Sequence, residues 1–242
     1  MLFRSMPEGR VAVPQVASGE SYNIALKADG TVWAWGCNEY GQLGNGMSGS
    51  GTEKAIPVQV KGAAGNGYLT NVVAVAAGDS HSMALKSDGS VWTWGRNNYG
   101  QIGNAASGDN MNETTPVQVK GVNGNGYLAG IVDIAIGYNH SMALKTDGTI
   151  WAWGRNARGE LGNGTTTQST VPVQVKGESG IGYLSDVVSI AAGADHSIAL
   201  KSDGTVWAWG NGVAGQLGDG TSGVGVDKST PMQVKGPGRY KF

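Results

Sequence analysis

Residues 78–104 read Gly78-Asp79-Ser80-His81-Ser82-Met83-Ala84-Leu85-Lys86-Ser87-Asp88-Gly89-Ser90-Val91-Trp92-Thr93-Trp94-Gly95-Arg96-Asn97-Asn98-Tyr99-Gly100-Gln101-Ile102-Gly103-Asn104. The run from His81 to Lys86 alternates polar and apolar residues with the period of a strand. Asp88-Gly89 follows, a pair suited to a two-residue type I′ hairpin, where both turn positions need positive φ. Ser90 to Trp94 is a second strand of the same hairpin. Outward from this pair, Val72-Val73-Ala74-Val75-Ala76-Ala77 reads as a preceding strand, and Pro116-Val117-Gln118-Val119-Lys120 as a following one. Proline at its start suits a strand's first residue or a sheet edge.

The unit recurs. Trp-x-Trp-Gly begins at Trp33, Trp92, Trp151 and Trp207, at spacings of 59, 59 and 56 residues. Asp-Gly precedes each at Asp29, Asp88, Asp147 and Asp203, and Pro-x-Gln-Val follows at Pro57, Pro116 and Pro172, with Pro231-Met232-Gln233-Val234 as the fourth. Four antiparallel strands per unit of this length predict a propeller blade. The fold class is therefore all-β, a β-propeller of four four-stranded antiparallel blades, forming either an arc of a larger propeller or a small closed ring. The units fall at about 11–60, 61–119, 120–175 and 176–236. Residues 1–10 form an N-terminal tail and 237–242 a C-terminal tail. The start, Met1-Leu2-Phe3-Arg4-Ser5-Met6, has neither an h-region nor any likeness to the repeat, and reads as a non-native or gene-model scar.

Composition agrees. Of 242 residues, 40% are hydrophobic and 14% charged, too apolar for a disordered chain. The 42 glycines lack a period of three, which excludes collagen. The formal net charge is -1 with no run of Lys or Arg, so direct nucleic-acid contact is not expected. No stretch has the apolar length of a membrane span, so no membrane partner is expected. The compartment stays open. Cys37 is the only cysteine, which excludes an internal disulfide and a multi-cysteine zinc site.

The string Gly-x-x-His-Ser-x-Ala-Leu-Lys-x-Asp-Gly-x-Val/Ile-Trp-x-Trp-Gly-x-Asn-x-x-Gly-Gln/Glu-Leu/Ile-Gly resembles the regulator of chromosome condensation repeat, as found also in bacterial repeat proteins of that family. The resemblance covers nearly all of residues 11 to 236. It implies seven-bladed propellers, whereas four units are present here. It also implies, as alternatives, nucleotide exchange on a small GTPase or inhibition of a secreted enzyme such as a β-lactamase; a structural module of a larger surface protein is a further alternative.

Comparison between units locates their differences. The loops before the fourth strand vary in length and sequence: Met47 to Ala55, Ala105 to Thr114, Thr165 to Ser169 and Thr221 to Lys228. The loops between first and second strands vary too, and in an up-and-down sheet both sets lie at one end. Loops on a rigid body are where binding concentrates. A non-catalytic protein–protein interaction scaffold is the expected function, with an unidentified protein as partner. The candidate contact residues are Glu20, Met47, Glu53, Lys54, Asp79, Asp109, Asn110, Met111, Tyr138, Gln168, Asp195, Val224, Asp227 and Lys228.

No catalytic or metal site is expected, and no cofactor. His81, His140 and His196 occupy equivalent positions, with Tyr22 in the first unit. Each shares a strand face with apolar residues, which predicts a buried, hydrogen-bonded role. The eight tryptophans predict core. The Asp29-type carboxylates belong to turns, and no Walker or dinucleotide motif occurs. An open arc would expose the faces of its end blades and so invite self-association.

Overall fold

The protein is described by a computed structural model over residues 11–236; the two tails lie outside the described residues. Sixteen strands form four separate four-stranded sheets, each ordered as in the chain. Blade one holds β1 (Gln15–Ser18), β2 (Tyr22–Leu26), β3 (Val32–Gly36) and β4 (Lys54–Gln59). Blade two holds β5 (Val72–Ala77), β6 (His81–Lys86), β7 (Val91–Gly95) and β8 (Glu113–Gln118). Blade three holds β9 (Ile131–Ile136), β10 (His140–Lys145), β11 (Ile150–Gly154) and β12 (Ser169–Gln174). Blade four holds β13 (Val187–Ala192), β14 (His196–Lys201), β15 (Val206–Gly210) and β16 (Lys228–Gln233).

All neighbouring strands within a blade pair antiparallel. The first strands β1, β5, β9 and β13 pack side by side in succession and line the concave inner edge. No comparable packing joins β13 back to β1, so the described residues form an open arc and not a small closed ring. The cause is the wedge between blades. The third strand, two removed from the inner edge, places a tryptophan in each boundary, while alanines such as Ala74 and Ala76 pack nearer the axis. The three wedges between four blades do not complete a turn.

Each boundary has its own core. Ile24, Leu26, Val75, Ala84 and Trp94 fill the first, Met83, Leu85, Ile134, Ala143 and Trp153 the second, and Met142, Leu144, Ile190, Ala199 and Trp209 the third. Burying one such tryptophan removes ~200 Å² from water, up to ~5 kcal/mol. The eight tryptophans nevertheless divide. Trp94, Trp153 and Trp209 are fully buried, and Trp207 nearly so. Trp33, Trp35, Trp92 and Trp151 are only half-buried, with Lys27, Lys86 and Lys145 lying over the rings of Trp33, Trp92 and Trp151 at 5.7, 5.7 and 6.0 Å. In each of these three lysine-covered cases the lysine stem shields the ring surface left open.

The Asp-Gly turn is not the two-residue I′ form. Lys86 N donates to Ser90 O and Gly89 N to Lys86 O, both at 2.9 Å, enclosing a three-residue loop. Gly89 has φ +78 while Asp88 stays at negative φ. This is a type I turn closed by a left-handed glycine. The Asp88 carboxylate accepts from Ser90 N at 2.9 Å and from its hydroxyl at 2.6 Å, which fixes the form. Consecutive positive φ values occur instead in the loops between blades, at Ala64-Gly65, Asn123-Gly124 and Ser179-Gly180.

Candidate functional site

The loops at one end of the blades are tied together by backbone bonds. Within each blade the residue after the third strand donates to the turn between first and second strands: Cys37 N to Ser21 O, Arg96 N to Ser80 O and Arg155 N to Asn139 O at 2.9 Å, and Asn211 N to Asp195 O at 2.8 Å. Both variable loop sets therefore share one face, as the topology requires. Between blades, Glu20 N donates to Asp79 O and Asp79 N to Tyr138 O at 3.3 Å, and Tyr138 N to Ala194 O at 2.9 Å. The inner rim of that face is one hydrogen-bonded chain. It borders a concave recess of about 330 Å³ lined by Glu20, Asp79, Tyr138 and Ala194.

The long loops are held by a buried asparagine. Asn38 Oδ1 accepts from Leu43 N at 3.1 Å, and its Nδ2 donates to Met47 O at 2.9 Å. Asn97 and Asn156 repeat the pattern with Ile102 N and Ala106 O, and with Leu161 N and Thr165 O. Blade four has Gly212 there, with no side chain to repeat the pattern; Asp227 accepts from Gly212 N at 3.0 Å, as Asn112 accepts from Asn97 N. Long loops thus begin from fixed geometry and diverge only at their tips.

Across the face runs a ladder of cations, rings and carboxylates. Arg96 lies over the Tyr40 ring of the preceding blade at 4.7 Å and within 3.8 Å of Asp79. Arg155 lies over Tyr99 at 5.9 Å and pairs with Asp195 of the next blade at 2.6 Å. Arg158, which stands where Tyr40 and Tyr99 stand in earlier units, pairs with Asp227 at 3.0 Å. Glu160 replaces the glutamine of the other units. Its Oε2 accepts from Arg158 N at 2.7 Å, as Gln42 Oε1 accepts from Tyr40 N at 3.0 Å. Its other oxygen lies 3.4 Å from Arg155, and burial pushes its carboxyl above the usual range. The Glu20 carboxyl is also raised, by a hydrogen bond with the Asp79 carboxylate and by that group's charge.

The candidate residues divide by environment. Asp79, Asp195 and Asp227 are engaged by arginines, and Lys228 by Asp219 at 3.6 Å. Lys54 and Lys228 open the outer strands β4 and β16. Met47, Met111, Tyr138 and Val224 are exposed apolar tips, with Val224 at 98%. Glu20, Glu53, Asp109, Asn110 and Gln168 are exposed polar groups. Sequence comparison missed Tyr40, Tyr99, Arg96, Arg155 and Arg158, because the ladder joins residues about one unit apart in the chain.

His81 and His140 lie inside the boundaries, whereas His196 is only partly buried, short of the role its equivalent position predicts. His81 Nε2 is 3.0 Å from Ser141 Oγ, which donates to Gln101 O at 3.0 Å. His140 and Ser197 repeat this with Glu160 O at 3.0 and 2.9 Å. Since each serine proton is directed at a carbonyl, the ring carries its proton on Nε2. Burial lowers the pKa of both His81 and His140 to about 3. Among the described residues no group of three or more His, Cys, Asp or Glu side chains is placed to hold a metal ion.

A family model described as RCC1-like domain matches residues 3–240. The ultraviolet-B receptor UVR8 of Arabidopsis thaliana is 31% identical over 227 residues, covering 93% of this chain and 46% of that protein. Among solved structures, human WBSCR16 superposes with a TM-score of 0.76 at 25% identity, covering 95% of this chain and 56% of that one. Prp20p from Saccharomyces cerevisiae, in a structure titled with its binding properties to Gsp1p and histones, gives a TM-score of 0.72 at 25% identity over 92% of this chain and 50% of its own. The chain spans less than half the length of the curated relatives it matches.

Proposed function

The chain belongs to the RCC1-like domain family, and on that footing we propose that it works as a non-catalytic protein-docking scaffold whose partner lands on the face carrying the variable loops. One observation carries the reading. Rigid loop bases, anchored on a buried asparagine in blades one to three and on the Asp227–Gly212 bond in blade four, present tips that differ from blade to blade. Exposed apolar residues (Met47, Met111, Tyr138, Val224) stand among arginines and carboxylates, the mixture that serves a protein interface. The partner is a protein surface that accepts apolar anchors inside a charged, mixed-sign rim.

The test compares two immobilised chains in parallel captures from cells of the source organism. One is wild type; the other has the tips 47–52, 106–111, 165–168 and 222–226 replaced by Gly-Ser. Proteins held by the first and lost by the second support the face. A partner retained equally by both removes it.

A second reading is stimulated nucleotide release from a small GTPase. It is favoured by the likeness to Prp20p, whose structure is titled with Gsp1p binding. Release of a fluorescent guanine nucleotide from a panel of small GTPases, with and without the chain, decides it; an unchanged release rate excludes it.

A further inference from the structure

On the loop face, the seam between blades three and four departs from the repeat. At the preceding boundary, between blades two and three, Gln101 Nε2 donates to Asn98 Oδ1 at 3.2 Å and, across the boundary, to Asn139 Oδ1 at 3.3 Å. Between blades three and four all three residues change: Glu160 stands for Gln101, Ala157 for Asn98 and Asp195 for Asn139. The amide donor has become an acceptor, while one of its partners is now a methyl and the other a carboxylate. Glu160 Oε1 is accordingly buried with no hydrogen-bond partner, its side chain 1% exposed.

What holds an ionised carboxylate there is Arg155. Its Nη1 donates to Asp195 Oδ1 at 2.6 Å and lies 3.4 Å from Glu160 Oε1, so one cation stands between two carboxylates. Arg158 gives Glu160 its backbone N–H, but its guanidinium is spent on Asp227. His140 and His196, the histidines of blades three and four, are held in their neutral forms by burial and add no charge near neutral pH. Burial, and the Asp195 charge in addition, favour a proton on Glu160.

We propose that Glu160 is an acid-operated latch on Arg155. Ionised, Glu160 shares the guanidinium with Asp195 and keeps Arg155 down beside the Tyr99 ring. Protonated from solvent on Oε1, it is a donor again, and it donates to Asp195 as Gln101 Nε2 donates to Asn139. The carboxyl then takes the place of the guanidinium on Asp195. Arg155, whose side chain is already 26% exposed, is released to the loop face as a cation that a landing carboxylate can take up. That last consequence rests on the loop face being the docking face; the latch itself does not.

Heteronuclear NMR of the isotopically labelled 242-residue chain tests this, from pH ~7.5 to pH ~4.5. The probe is the Arg155 Nε–H resonance, identified by its loss in Arg155→Lys. It should move in one step with a midpoint above ~4.3, the ordinary glutamate value. Its protection from solvent exchange, relative to free arginine at the same pH, should fall severalfold across that step. Glu160→Gln installs the residue of the other three units, and circular dichroism verifies its fold. This variant should hold Arg155 in the released state throughout, with the step gone. Asp195→Asn removes the repelling carboxylate and should lower the midpoint. A step that survives Glu160→Gln belongs to His196 and overturns the latch. An Arg155 resonance that ignores pH, a midpoint at or below ~4.3, or one that Asp195→Asn fails to lower overturns it as well. Failure of the loop-replacement capture removes the docking face and leaves these readings untouched.

Discussion

The histidines show how far a single residue's surroundings set its chemistry. His81 has its Nε2–H used by Ser141, while its Nδ1 is buried with no partner. A second proton would sit at Nδ1 with nothing to receive its hydrogen bond, and burial opposes the charge. The folded pKa of about 3 lies below the unfolded value near 6.5. The unfolded chain therefore binds the extra proton first as pH falls. Stability is complete above pH ~6.5 and declines from there toward pH ~3, by at most about 1.4 kcal/mol per pH unit for each such histidine. Urea midpoints between pH 7 and 4 should fall accordingly, and His81→Asn should reduce the slope. An unchanged slope in that variant would mean that His81 is not the titrating group. Ser141→Ala leaves the Nε2 proton unmet and should cost about 1–3 kcal/mol in the same assay at pH 7.

At the scale of the element, strand positions were legible and turn forms were not. Alternation in His81–Lys86 and Val91–Gly95 located the hairpin, because period two is a property of the backbone. Asp-Gly was ambiguous because a glycine at positive φ serves both a two-residue I′ turn and a three-residue type I turn. The deciding group is Ser90 (Thr31, Thr149 and Thr205 elsewhere), whose amide and hydroxyl both bind the aspartate. The shared loop face followed from strand count alone. The ladder of Arg96, Arg155 and Arg158 did not, since each arginine meets partners set by blade geometry. The loops between blades give a direct test. Ala64 adopts φ 52 and ψ 24, where Asn123 stands in the next unit. Left-handed backbone costs alanine roughly 1 kcal/mol and asparagine less. Ala64→Asn should raise the urea midpoint by the equivalent of a few tenths to about 1 kcal/mol; a fall would show that the loop relies on the methyl.

Across the whole molecule, each blade touches only its neighbours, so stability is a sum of blade and boundary contributions. Blades two and three have both faces covered. Among the described residues, blades one and four each lack a neighbour on one face, where Val16 and Leu200 are exposed. Hydrogen exchange should be slowest in β6 and β10 and fastest in β1 and β13. Equal protection throughout would mean that the arc opens in one step.

Tyr22 takes on a further meaning in this light. It occupies the histidine position at the first boundary and donates to His81 O at 2.6 Å, with burial holding its hydroxyl protonated. A phenol gains no charge in acid, whereas His81 and His140 do. The three seams of the arc are therefore unequal under acid. Mild acidification weakens the second and third seams and spares the first, so blades one and two stay docked on each other while the later seams loosen.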